Sequence, residues 1–153
     1  MNATQFAGML AFGGASVVCL WMRHWPWSFI GGLNLAMAIE CVLGIRHRTH
    51  DFAIVLLGPL YLNRNGLQIG LIVIVAAIVF LTTLLLLNRN DGRAPATVIA
   101  ATGFALALFS VETISLHAFD SFLYQKAGPL LVIGWIWMAL ASVTAIEALR
   151  KGV

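Results

Sequence analysis

The chain has 153 residues, of which 61% are hydrophobic and only 10% are charged, and its mean hydropathy is +0.94. Soluble domains carry about a quarter charged residues, so this composition excludes an ordinary soluble enzyme domain and predicts an integral protein of the plasma membrane. The net charge of +3 is spread over predicted loops and helix ends and gives no indication of a nucleic-acid partner. The expected fold is all-α: a single domain, residues 1–153, forming a bundle of five transmembrane helices with one short interfacial or re-entrant segment.

Residues 4–22 form the first predicted span, an apolar stretch that approaches the roughly 20 residues that a transmembrane helix needs. Gly8 and Gly13 give this span a small-residue side on which another helix can pack closely. The segment from Trp21 to Trp27 follows it and is rich in tryptophan and basic residues. Such a segment is typical of an anchor at the membrane–water interface.

Residues 27–46 form the second predicted span, in which Gly31 and Gly32 are also expected to line helix contacts. The apolar run in residues 51–62 is too short for a crossing that needs roughly 20 residues, and Gly58-Pro59 interrupts it. We therefore expect this run to lie at the membrane surface, or to re-enter, on the side where the second span emerges.

Three further spans are predicted: residues 67–87, residues 95–116, and a fifth that begins at Gly128-Pro129 and ends with Lys151. Glu147 lies three residues before Arg150, a spacing that predicts an ion pair at the helix end. Five spans put the two termini on opposite sides of the membrane. The basic residues on the two sides then number four and five, so the positive-inside rule leaves the orientation open.

The polar residues near the ends of spans two and four form the candidate site. Glu40 and Glu112 lie inside predicted helices, and both are expected to face the bundle interior because an ionised carboxylate facing lipid is costly. Spans two and four leave the membrane on the same side, so the two carboxylates are expected at similar depth in one polar cavity. The predicted cluster comprises Glu40, Arg46, His47, His50, Asp51, Glu112, His117 and Asp120.

Three functional interpretations of this cluster stay open. In the first, the carboxylates are satisfied internally, and the chain is a structural or accessory subunit of a larger membrane complex or a homo-oligomer. In the second, His47 or His50 binds a metal or haem together with His117, since imidazole suits iron, copper and zinc. In the third, the cluster is an acid/base site for lipid chemistry or proton-coupled transport. The sequence contains no HExxH, P-loop or GxSxG motif that would single out one reaction.

Overall fold

The structure, a computed structural model, describes residues 1–45, 48, 51–52, 55, 64–88, 94–114 and 121–152. This part of the chain is mostly helical. Its five long helices and one minimal hairpin are α1 (Ala3–Trp21), α2 (Trp25–Leu43), α3 (Arg64–Asn88), α4 (Ala96–Ile114), β1 (Lys126–Ala127), β2 (Leu130–Leu131) and α5 (Val132–Gly152).

Three of these helices, α1, α2 and α5, are long and apolar enough to cross a membrane. The described apolar stretches of α3 and α4, Val73–Leu85 and Ala96–Glu112, are shorter. The prediction of a helical chain with membrane-spanning segments is therefore confirmed for three helices.

Local sequence signals define where α1 and α2 begin and end. The Asn2 side chain accepts a hydrogen bond from the backbone N–H of Gln5 at 2.8 Å, and Gln5 Oε1 accepts one from the Asn2 N–H at 2.9 Å. This reciprocal pair satisfies two donors at the start of α1 that have no partner within the helix. Pro26 lies in the first turn of α2, where a missing N–H costs nothing. Gly44 ends α2 in the left-handed conformation (φ 58°), which glycine adopts without steric cost.

Helix α1 is the centre of the packing, with α2 and α5 as its two principal neighbours. A Cβ atom on Gly8, in the first half of α1, would lie 2.9 Å from the sulfur of Cys41 near the end of α2, so these helices are antiparallel. Gly152, at the end of α5, lies beside Met22 at the end of α1, so α1 and α5 are parallel. Helix α4 packs against α5 and touches α2, while α3 packs mainly against α4.

The interior consists of two hydrophobic clusters stacked along the bundle. The first, the lower core, lies toward the end where α1 begins and contains Phe12, Ala15, Met37, Ala38, Cys41, Ala105, Phe109, Leu123, Ile133, Trp137 and Ala141. The second, the upper core, lies toward the end of α1 and contains Cys19, Trp27, Ile30, Ala94, Val98, Ile99 and Ala148.

The structure corrects two details of the predicted elements. Helix α5 begins at Val132 rather than at Gly128-Pro129, because Gly128 takes a positive φ of 69° and lies in the turn between β1 and β2. Trp27 was expected at the membrane interface, but it is only 1% exposed and belongs to the upper core. Trp21, at the other end of the predicted anchor, is 83% exposed.

Two further predictions concern the ion pair at the end of α5 and the interfacial segment. The predicted ion pair at the end of α5 is present, with Arg150 Nη1 3.1 Å from Glu147 Oε1. The predicted interfacial segment, residues 51–62, lies largely outside the described residues. Asp51, Phe52 and Val55, which the structure does describe, are helical and exposed.

Candidate functional site

Glu112 is buried near the C-terminal end of α4, with 6% of its surface exposed. The hydroxyl of Tyr124 donates a hydrogen bond to Glu112 Oε1 at 3.0 Å. Tyr124 precedes α5 in sequence and is itself 38% exposed, so this hydrogen bond links the buried carboxylate to the surface of the bundle. This hydrogen bond offsets part of the cost of burying a carboxylate.

Glu40 is half-buried in the last turn of α2 and accepts hydrogen bonds through its side chain and its backbone. The backbone N–H of Ile45 donates to Glu40 Oε2 at 3.0 Å. The N–H of Gly44 donates to the Glu40 carbonyl oxygen at 2.9 Å. The left-handed Gly44 turns the chain back over this last turn, so the carboxylate stabilises the end of its own helix.

Contacts with α1 give the depth of both carboxylates in the bundle. Cys41, the residue after Glu40, lies beside Gly8 of α1. The ring of Phe109, one turn before Glu112, packs against a phenylalanine of α1 with a centroid distance of 5.6 Å. Both carboxylates therefore lie toward the end of the bundle at which α1 begins.

The remaining members of the predicted cluster are described only in part. Asp51 is exposed. Arg46, His47, His50, His117 and Asp120 lie outside the described residues. Within the described ranges, no group of three or more His, Cys, Asp or Glu side chains could hold a metal ion. The suggested metal ligands His47, His50 and His117 are not in those ranges, so the metal and haem interpretations stay predictions.

The four glycines predicted to line helix contacts fall into two classes. A Cβ atom on Gly8 would lie 2.7 Å from Trp137 Cε3, and one on Gly31 would lie 2.9 Å from Leu20 Cγ, so both glycines lie where helices approach closely. Gly13 and Gly32 have no atom within 4 Å of the corresponding position among the residues that the structure describes. A side chain at either of these two positions would point away from the described part of the bundle.

Several buried polar residues have no counterpart in the sequence-based cluster. Thr4, 5% exposed, accepts a hydrogen bond on Oγ1 from the N–H of Leu131 at 3.1 Å, which ties the start of α1 to β2. Near the middle of the four core helices are further small polar side chains that are almost fully buried. These are Ser16, Asn34, Thr102 and Thr144. The sequence does not distinguish these four residues from other small polar residues in the same apolar segments, such as Ser110 in α4 and Ser142 in α5.

No protein family, no curated protein and no solved structure matches this chain.

Proposed function

We propose that the chain is a five-span subunit of the plasma membrane, a single domain covering residues 1–153, with a structural or accessory role. It associates with copies of itself or with other membrane chains. The observation that carries this proposal is the packing of α3, which lies mainly against one neighbour while the other four helices form the shared core.

The apolar side chains of α3 whose burial the structure describes are exposed or only partly buried. No residue from Gly70 to Asn88 whose burial the structure describes is buried. Ile78 and Leu81, for example, are 58% and 62% exposed. A helix of this length and composition needs either lipid or another protein around it.

Two glycines on α3 favour a protein neighbour. Gly66 and Gly70 are four residues apart, the small-xxx-small spacing that lets two membrane helices approach closely. Nothing in the described chain lies within 4 Å of a Cβ atom built on Gly70. Because lipid tails are as apolar as leucine, close backbone packing of this kind drives association between helices in a membrane.

The two carboxylates support a structural role. Glu40 accepts a hydrogen bond from the backbone N–H of Ile45, just after the end of α2, and Glu112 accepts one from the Tyr124 hydroxyl. Both carboxylates thus form hydrogen bonds within the chain itself, one at the end of α2 and one between α4 and the segment that precedes α5. The proposal keeps Glu40 and Glu112 in one polar site at this end of the bundle, which stabilises the docking of α2 and α4.

Association of the purified chain in lipid bilayers tests the proposal. Two separately labelled populations, reconstituted together in vesicles, should show energy transfer that rises with the protein-to-lipid ratio. Gly70→Leu should lower the association constant by about tenfold, since loss of about 1–2 kcal/mol of close helix packing corresponds to a change of this size. Gly32→Leu is the matched control because its position is equally open and lies on α2.

Energy transfer that stays at the level of a monomeric reference protein at all protein-to-lipid ratios would contradict self-association. Loss of association in Gly32→Leu alone would overturn the role of α3 and would favour the sequence-based expectation, in which Gly13 and Gly32 mediate assembly. Circular dichroism of both variants verifies that the helices are intact.

A further inference from the structure

Each of the four core helices carries, near its middle, one small polar residue that is almost completely buried. Ser16 in α1, Asn34 in α2 and Thr144 in α5 are 1% exposed, and Thr102 in α4 is 2% exposed. In every one of these helices the polar residue lies between its contributions to the lower core and the upper core. We call these four residues the mid-bundle layer.

The contacts between helices put the members of this layer at one level. Along α1 and α2, Gly8 lies beside Cys41, and Gly31 lies beside Cys19. Because the two helices are antiparallel, Ser16 and Asn34 fall opposite each other between these two contacts.

A second contact aligns α4 with α5. The rings of Phe109 and Trp137 are stacked with a centroid distance of 5.1 Å. Thr102 precedes Phe109 by seven residues, and Thr144 follows Trp137 by seven residues, about two helical turns in each case. Since these helices run in opposite directions, Thr102 and Thr144 also lie at the same level.

Helices α1 and α5 join the two pairs. Gly134 lies beside Thr4, and Gly152 lies beside Met22. Ser16 follows Thr4 by 12 residues, while Thr144 follows Gly134 by 10 residues. At about 1.5 Å per residue, the two pairs therefore differ in height by only about 3 Å.

Within the described part of the chain, the hydrogen bonding of the layer is incomplete. Buried hydroxyls in apolar helices usually donate to the carbonyl oxygen four residues earlier. Thr83, Ser110 and Thr144 do so here, at 2.8, 2.8 and 3.1 Å. Ser16 Oγ and Thr102 Oγ1 have no hydrogen-bond partner in the described chain.

The side-chain amide of Asn34 is also only partly hydrogen-bonded. Its Nδ2 donates to the carbonyl oxygen of Ile30 at 2.8 Å, but its Oδ1 has no partner among the described residues. The layer thus contains two hydroxyls and one amide oxygen that have no hydrogen-bond partner among the described residues, and they lie on three different helices. A buried polar group of this kind lowers the stability of the fold unless it finds a hydrogen-bond partner.

We propose that the mid-bundle layer is a binding site for ordered water, which bridges Ser16 Oγ, Thr102 Oγ1 and Asn34 Oδ1. Buried waters typically make about three hydrogen bonds to polar groups of this kind. The donor and acceptor pattern distinguishes water from a cation. A metal cation accepts no hydrogen bond and would leave both hydroxyl protons without an acceptor, whereas water can accept from the hydroxyls and donate to the amide oxygen.

Water-to-protein magnetisation transfer in solid-state NMR tests this site, using the full chain in bilayers. The side-chain amide of Asn34 should show a cross-peak at the water frequency, although it lies inside the bundle. Thr102→Val keeps the shape of the side chain but removes one of the bridged oxygens, so this cross-peak should be lost. Thr83→Val is the matched control, because the Thr83 hydroxyl is already bonded to its own helix.

Thermal unfolding of the same variants gives a second, independent readout. Thr102→Val should lower the melting temperature by a few degrees, because it deprives the bound water and its other partners of a hydrogen bond. A dry layer predicts the opposite sign, since the substitution would then remove an unsatisfied polar group.

The absence of the Asn34 cross-peak in the wild-type chain would overturn the proposal, whatever the behaviour of the variants. A higher melting temperature for Thr102→Val would also overturn it. A melting temperature of the wild-type chain that rises with sodium, relative to choline at equal ionic strength, would assign the layer to a cation instead.

Discussion

Glu40 lies where a carboxylate inside an apolar helix can be accommodated at low cost. It is close enough to the end of α2 for its side chain to reach the backbone N–H of Ile45. Gly44 takes the left-handed conformation, and the N–H of the next residue donates to the Glu40 side chain in the last helical turn. The acidic side chain therefore compensates for a backbone donor that α2 itself does not use.

Replacing Glu40 should show whether its oxygen or its charge is needed. Glu40→Gln keeps a hydrogen-bond acceptor, so we expect the free energy of unfolding to change by less than about 0.5 kcal/mol. Glu40→Leu removes the acceptor and should destabilise the protein by about 1 kcal/mol. Equilibrium unfolding in mixed micelles measures both. Equal destabilisation by the two variants would show that the negative charge, rather than the hydrogen bond, matters.

The hydrogen bond from Tyr124 to Glu112 should contribute more to stability than the one from Ile45 to Glu40, because Glu112 is buried. Tyr124→Phe should lower the free energy of unfolding by about 1–3 kcal/mol, since it removes a donor to a carboxylate group with little access to water. In a Glu112→Gln background the same substitution should cost less, because a neutral acceptor forms a weaker hydrogen bond. A double-mutant cycle built from these variants measures the coupling. Additive effects would mean that the pair contributes no coupling energy.

At the scale of the element, α1 is a helix whose glycines have different surroundings. Gly8 lies between two neighbouring helices, where Trp137 and Cys41 approach its Cα directly. Gly14 is exposed, with open space beside it in the described structure. The same residue type therefore permits close packing at one position and only lowers helix propensity at the other.

A pair of alanine substitutions separates these two roles. Gly8→Ala should destabilise the protein by about 1–3 kcal/mol, because the added methyl group overlaps two packed side chains. Gly14→Ala should be neutral or stabilising by up to about 1 kcal/mol, since alanine favours the helix. Thermal melts in detergent compare the two. A stable Gly8→Ala variant would mean that α5 shifts away from α1 with little loss of packing.

The difference between these glycines also marks the limit of what the sequence predicts. Small residues in an apolar segment indicate that close helix contacts exist, and Gly8 and Gly31 lie at such contacts. Which glycine faces a neighbour depends on how each helix is rotated. That rotation is set by long-range packing, such as the contact between Gly8 and Trp137. No local pattern in α1 contains this information.

At the scale of the whole molecule, α1 and α5 are parallel, while α2 and α4 run the opposite way. Apolarity and length predict the helices themselves, because each apolar segment must satisfy its backbone internally in a membrane. The sequence did not predict that Trp27 belongs to the core. An interfacial and a buried tryptophan look alike in sequence beside a proline, and only the packing of α2 against α1 and α4 distinguishes them.

Accessibility labelling tests the proposed five-span topology. Single cysteines at Asn2 and Lys151 should react with a membrane-impermeant reagent from opposite sides of sealed vesicles, because five crossings separate the two positions. The native Cys19 and Cys41 are fully buried, so the unmodified chain serves as the unlabelled control. Labelling of both introduced cysteines from the same side would rule out an odd number of spans.

The pairing of α1 with α5 has a consequence for how the chain is made. These helices lie side by side along the bundle, although they are the first and the last in sequence. During synthesis, α1 enters the membrane long before α5 is made. The surface of α1 that packs against α5 therefore has no partner until α5 is synthesised. Contacts at such sequence separation form late and slowly. The contact between α1 and α5 can form only after α5 has been synthesised, so a chain that stops short of Val132 would keep the Cys41 contact of Gly8 but lose the Trp137 contact.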